Sequence, residues 1–153
     1  MRIALLSYRG NPHSGGQGVY IRRLSSALVE LGHQVEVFSG QPYPELCPGV
    51  PLTRLPSLDL YRPERPFRRA RPMRDTIDVA EFAIMCAAGF PEPYAFSRRV
   101  YNVLRERRHE FDLVHDNQCL GRGLLGLVRD GWPFVNTLHH PITVDRDLDL
   151  SHA

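Results

Sequence analysis

The 153-residue sequence contains no lysine; all 19 of its basic residues are arginine. That absence removes several chemistries from this chain acting alone. A Walker-type phosphate loop needs its lysine, and Schiff-base or pyridoxal chemistry needs a lysine amine. Cysteine is scarce as well. Cys47, Cys86 and Cys119 are odd in number, far apart and without a secretion signal, so they read as reduced thiols in a cytoplasmic protein. Long apolar runs are missing too. The opening Met1-Arg2-Ile3-Ala4-Leu5-Leu6-Ser7 is too short for a signal-peptide core and far too short to span a bilayer. Charge of one sign is also lacking: 17 acidic residues leave a net charge of only +2, and the aromatics do not form a stacking platform, so nucleic acid is not an expected partner. What is present is a globular composition, 42% hydrophobic and 24% charged, sized for one domain.

Alternating elements follow from the pattern. Ile3-Ala4-Leu5-Leu6 is a continuous apolar run, as in a strand buried on both faces of a parallel sheet. A loop rich in Gly, Asn, Pro, His and Ser follows from Tyr8 to Gly18. Ile21, Leu24, Leu28 and Leu31 then mark an amphipathic helix that Gly32 should stop. Val35 to Phe38 is the second strand, completing a βαβ unit with a right-handed crossover. From Gly40 to Pro72 prolines exclude long helices, although Val50 to Leu55 suits a short strand. The spacing predicts a helix from Asp75, its N-cap, to Ala88, with Gly89-Phe90-Pro91 as the stop. Phe96, Val100, Val103 and Leu104 mark another helix, whose polar face carries Arg98, Arg99, Arg105, Arg107 and Arg108 and reads as exposed. Asp112 to His115 is a strand, Leu124 to Arg129 a helix and Pro133 to Leu138 a strand. The expected fold class is therefore α/β, a Rossmann-like open parallel sheet with flanking helices. Asp145 to Leu150 looks like the start of a further helix, so the chain is expected to be a fragment of a longer protein.

Three clusters could carry chemistry. Ser14-Gly15-Gly16-Gln17-Gly18 lies after the first strand and at the start of the first helix. Glycines there let backbone approach a ligand, and the free helix N–H groups favour a phosphate. A flexible turn capped by Ser14 or Gly15 fits the placement equally well. The nicotinamide fingerprint does not fit, because the loop is too long and Phe38-Ser39-Gly40 supplies no acid for a ribose. Thr137-Leu138-His139-His140-Pro141 lies at a strand's C-terminal end, where open α/β sheets gather ligands; a capping or packing histidine is the competing reading. His115-Asp116-Asn117-Gln118 either hydrogen-bonds a polyol or caps the next helix. No paired-cysteine or His-x-x-x-His motif supports a metal site at His115 and Cys119. Six arginines between Arg62 and Arg74, against Glu64 alone, form a solvated loop, an anion-binding patch or a surface for acidic lipid headgroups.

The residues together resemble a known family. Met1 to Ser7, Ser14-Gly15-Gly16, Leu24, Leu28, the string Leu31-Gly32-His33-Gln34-Val35-Glu36-Val37, then Phe111 to His115 and Thr137-Leu138-His139 are similar to the strand and loop signatures of family 4 retaining glycosyltransferases. The likeness runs through most of the chain and is weakest from Gly40 to Gly89. It implies a GT-B architecture of two Rossmann-like domains, of which residues 1–153 are an incomplete N-terminal, acceptor-side domain without the nucleotide-sugar-binding C-terminal domain. It implies transfer of a sugar from a nucleotide diphosphate-sugar to the hydroxyl of a small-molecule or lipid-linked acceptor, with retained configuration. It places His139 near the transferred sugar as the catalytic residue and gives Gly15 and Gly16 the approach to the donor phosphate or sugar, and it implies no metal and no further cofactor; the adjacent, ambiguous His140 and Asn117 of the third cluster complete the candidate substrate-binding residues. The phosphate clamp would lie outside these residues, so the isolated chain is expected to be inactive. The implied location is cytoplasmic, with peripheral contact at an anionic inner membrane face through Arg62 to Arg74. A nucleotide-sugar epimerase of GT-B type and a non-catalytic α/β binding module are the alternatives.

Overall fold

The computed structural model of the chain describes residues 1–12, 16–59 and 73–139. Its elements alternate: β1 (Arg2–Ser7), α1 (Gly16–Glu30), β2 (Gln34–Ser39), β3 (Leu52–Arg54), α2 (Thr76–Cys86), α3 (Glu92–Glu106), β4 (Leu113–Asn117), α4 (Leu124–Arg129) and β5 (Phe134–Thr137). The five strands form one sheet in the order β3-β2-β1-β4-β5, and every pairing is parallel. This is the Rossmann-like α/β arrangement expected from the sequence. The apolar run of β1 is buried on both faces because β1 is the central strand. Ile3 and Leu5 join Val35 and Val37 under Ile21 of α1, whereas Ala4, Leu6, Phe38 and Val114 meet Phe96, Val100 and Leu104 of α3 and Leu124 and Leu127 of α4. Period-2 alternation thus divides each strand between two cores.

Local signals place most boundaries. Gly32 takes φ +84 after the last turn of α1, a left-handed conformation that glycine adopts without a Cβ penalty. Asp75 caps α2, its carboxylate accepting from the Asp78 N–H at 2.8 Å. One apolar expectation fails: Leu31 lies past the end of α1 and is 73% exposed, so the helix stripe ends at Leu28.

The arginine face of α3 also differs from expectation. Arg99 is only 9% exposed, because the inward face of α2 is acidic rather than apolar. Its guanidinium donates to Asp78 at 2.5 Å and Asp75 at 3.2 Å, and Arg74 donates to the other Asp78 oxygen at 3.0 Å. Burial raises the Asp78 pKa, but these cations outweigh it and hold the carboxyl below its ordinary value. Glu81 is fully buried beside them. It accepts from the Leu58 N–H at 3.1 Å, yet its other oxygen is 4.0 Å from Arg99 without a hydrogen bond, and burial pushes its pKa to about 7. Arg107 is also inward-turned, donating to both Glu36 oxygens at 2.8 Å and lying over the Phe38 and Phe111 rings. Of the six arginines between Arg62 and Arg74 only Arg74 falls within the described residues; the expected helix start at Asp145 lies outside them.

Candidate functional site

Strand order reverses direction at β1 and β4: the chain builds outward through β2 and β3, then returns to the other side of β1. Loops diverging from the C-terminal ends of such neighbours open a crevice. The register sets those ends level, Ser7 beside Ser39 and Asn117 beside Thr137.

The loop after β1 is gripped from both sides. Gly10 donates to the Pro42 carbonyl at 2.7 Å. A Cβ on Gly18 would lie 2.2 Å from the Asn11 carbonyl oxygen, so only glycine lets α1 pass this close. Gly16 is different. It opens α1, and a Cβ there would meet nothing within 4 Å among the described residues. The first turn of α1 carries no acidic residue, so its positive end is uncompensated within the helix.

His139 reaches this opening from beyond β5. Its imidazole Nε2 pairs with the Asn117 Oδ1 at 2.5 Å, its backbone N–H donates to the Gln118 Oε1 at 2.7 Å, and the Tyr20 ring meets it edge-on at 4.7 Å. Gly16, Gln17, Tyr20 and His139 line a cavity of about 320 Å³. In the tautomer that carries its hydrogen on Nε2, the ring donates to the Asn117 Oδ1 and Nδ1 is the remaining acceptor. A larger cavity of about 820 Å³ lies beside it, walled in part by Tyr8, Gln17, Phe90, Tyr94 and Gln118. Gln17 borders both spaces. Tyr8 and Phe90 meet edge to face at 6.4 Å. Burial raises the Tyr8 pKa, partly opposed by Arg9 and by a hydrogen bond with Gln17.

The structure thus brings together Gly16, Asn117 and His139, three of the five residues singled out in the sequence. Gly15 and His140 lie outside the described residues. Asn117 is completely buried behind the histidine, and its Nδ2 has no hydrogen-bond partner among the described residues. Its neighbours take separate roles. His115 pairs with the Thr137 hydroxyl at 2.7 Å, and burial lowers its pKa and favours the neutral ring. Asp116 is fully buried and accepts from the Cys119 N–H at 2.9 Å; burial pushes its pKa to about 6. Cys119 is a buried thiol near the Pro93 carbonyl, its pKa raised by burial. Among the described residues no group of three His, Cys, Asp or Glu side chains is placed to hold a metal ion. Gln17 and Gln118 belong to two of the clusters marked in the sequence, whereas Tyr8 and Tyr20 carried no signal there, because each sits in a segment whose pattern already had a structural explanation.

No helix among the described residues is long and apolar enough to cross a membrane. Comparison with known proteins agrees with the fold. The chain is 60% identical over its whole length to an MMP alpha-(1->4)-mannosyltransferase of Mycolicibacterium hassiacum, covering 38% of that protein. It is 27% identical, over 90% of its length, to a D-inositol 3-phosphate glycosyltransferase of Saccharomonospora viridis, covering 31% of it. The chain therefore spans about a third of the length of these curated relatives. A solved Streptomyces sp. SF2575 glycosyltransferase, complexed with thymidine diphosphate, shares the fold at 21% identity and a TM-score of 0.50, over 90% of this chain and 38% of that one. Residues 14–152 match the family described as Glycosyltransferase Family 4, and the chain belongs to that family.

Proposed function

We propose that this chain is the acceptor-side part of a glycosyltransferase that moves a sugar from a nucleotide diphosphate-sugar to an acceptor hydroxyl with retained configuration. The observation that carries the reading is the meeting of Gly16 and His139 at one cavity, where the sheet order reverses. The uncovered backbone at Gly16 and the positive end of α1 suit a donor phosphate. His139 Nδ1 suits a hydroxyl of the transferred sugar, which it orients from the sheet side while Asn117 holds the far edge of the ring. The described residues that line the cavity, Gly16, Gln17, Tyr20 and His139, include no carboxylate or thiol, and on this reading catalysis rests on placement and on stabilising the departing diphosphate. Without lysine, the cation for that diphosphate is an arginine of this chain or a group beyond it. The 60% identity to a mannosyltransferase makes a mannosyl unit and an α-1,4 linkage the proposed transfer, and the larger cavity the proposed seat of the acceptor.

The test is direct. The full-length protein is incubated with mannose and glucose esters of GDP, UDP and dTDP and with oligomannoside acceptors, and nucleoside diphosphate release and product linkage are measured. Transfer that drops at least tenfold in His139→Ala supports the reading; release without an acceptor product, or epimerisation of the donor, overturns it. Peripheral membrane contact through the Arg62 to Arg74 stretch is proposed on its charge alone. Liposome binding that survives replacement of Arg65, Arg68, Arg69 and Arg71 by glutamine would sink it.

A further inference from the structure

His139 follows the last residue of β5 by two positions, so no strand ladder holds its backbone. Its N–H is held instead by a side chain from the neighbouring strand end: the Gln118 Oε1 accepts it at 2.7 Å. Gln118 reaches there from an unusual backbone. It is a non-glycine residue at φ +51 and is 5% exposed. A left-handed conformation is unfavourable for a side chain with a Cβ and persists only where its surroundings enforce it. The enforcement is visible one residue to each side of the Asn117–Gln118 step. Buried Asp116 accepts from the Cys119 N–H at 2.9 Å, closing the turn that contains Gln118, and Asn117 faces the imidazole. One short turn therefore fixes both the backbone and the ring of His139. Gln118 also walls the larger cavity.

We propose that Gln118 is a positioning residue: it sets the backbone of His139, and so the ring, without itself touching the transferred sugar. A backbone N–H can only donate, so the requirement at position 118 is an acceptor oxygen at glutamine's reach. Glutamate meets it and alanine does not.

Two measurements on the full-length protein test this, and the first is independent of the transfer reading. In amide hydrogen exchange, the His139 N–H is protected in the wild type and in Gln118→Glu and exposed in Gln118→Ala, while Val114 of the β4 ladder stays protected in all three. Unchanged protection at His139 in Gln118→Ala overturns the proposal, as does loss of protection at Val114, which would make Gln118 a support of the sheet. The second measurement rests on the proposed transfer activity. Gln118→Ala lowers kcat about tenfold, the worth of one hydrogen bond, and the Gln118→Ala/His139→Ala double variant is no slower than His139→Ala alone. Losses that multiply overturn the proposal. If the wild type transfers no sugar while the exchange pattern holds, the transfer reading fails and the positioning role stands.

Discussion

Gly16 and Gly18 stand two residues apart in one helix turn, and alanine at each has opposite consequences. At Gly18 the new Cβ would sit 2.2 Å from the Asn11 oxygen and 2.7 Å from the Gly10 oxygen. Both obstacles are backbone, so no rotamer change relieves them, and the loop that carries them is itself tied to the Pro42 carbonyl. Overpacking of this kind costs about 1–3 kcal/mol or more, set against a gain of at most about 1 kcal/mol in helix propensity. The net is a loss of roughly 1–2 kcal/mol, visible as a lower urea midpoint with unchanged slope. At Gly16 a Cβ meets only open space among the described residues, so alanine keeps stability or raises it slightly. Its effect is expected on function: the added methyl stands where the proposed donor phosphate approaches, and transfer falls while the unfolding curve does not. Equal stability of the two variants would refute the packing reasoning at Gly18. A fully active Gly16→Ala enzyme would refute the close-approach reasoning at Gly16.

Other predictions follow from the buried charges. Because the folded-state pKa of Glu81 is raised from 4.5 to about 7, the native state holds a proton that the unfolded chain has already released. Its stabilising contribution is complete below pH 4.5 and is lost as pH rises through about 7, a change of about 3 kcal/mol; Glu81→Gln should flatten that part of a stability–pH curve. Asp75→Ala removes both the α2 cap and a partner of Arg99, for a loss of about 1–2 kcal/mol in chemical denaturation, larger than an exposed cap alone would give. Thiol labelling under native conditions should modify Cys86 and Cys47 and spare Cys119, which is buried and whose pKa burial raises; labelling of Cys119 should track global unfolding.

Sequence periodicity read well where the buried face is apolar. The runs in β1 and β2, the stop at Gly32, the cap at Asp75 and the span Leu124 to Arg129 all stand as the pattern indicated. It read poorly where the buried face is charged. Arg99 looked like surface because its partners, Asp75 and Asp78, lie 24 and 21 residues away and only the packing of α2 on α3 brings them together. Arg107 was hidden in the same way, its partner Glu36 standing 71 residues back. Leu31 erred in the other direction, an apolar residue that continued the spacing after the helix had ended. At the candidate site, Gly16 and His139, which the structure brings to one cavity, were both singled out in the sequence, Gly16 at the start of the first helix and His139 just past the end of a strand. The contact of Gln118 with the His139 backbone and the place of Tyr20 beside that ring were not legible, since both depend on how distant segments meet in the fold.

The central position of β1 has a consequence for synthesis on the ribosome. β1 emerges well before its partner β4, and the Arg2–Asp112 pairing closes across 110 residues. Until β4 has been made, β1 leaves its outer row of backbone N–H and C=O groups unpaired, and the apolar face formed by Ala4, Leu6 and Phe38 lacks the cover of α3 and α4. At typical elongation rates of about 5–20 residues per second, that interval lasts several seconds. The nascent protein therefore passes through an adhesive state that its finished form conceals, and the rate at which translation crosses residues 40–117 governs how long it is exposed to chaperones and to its own kind.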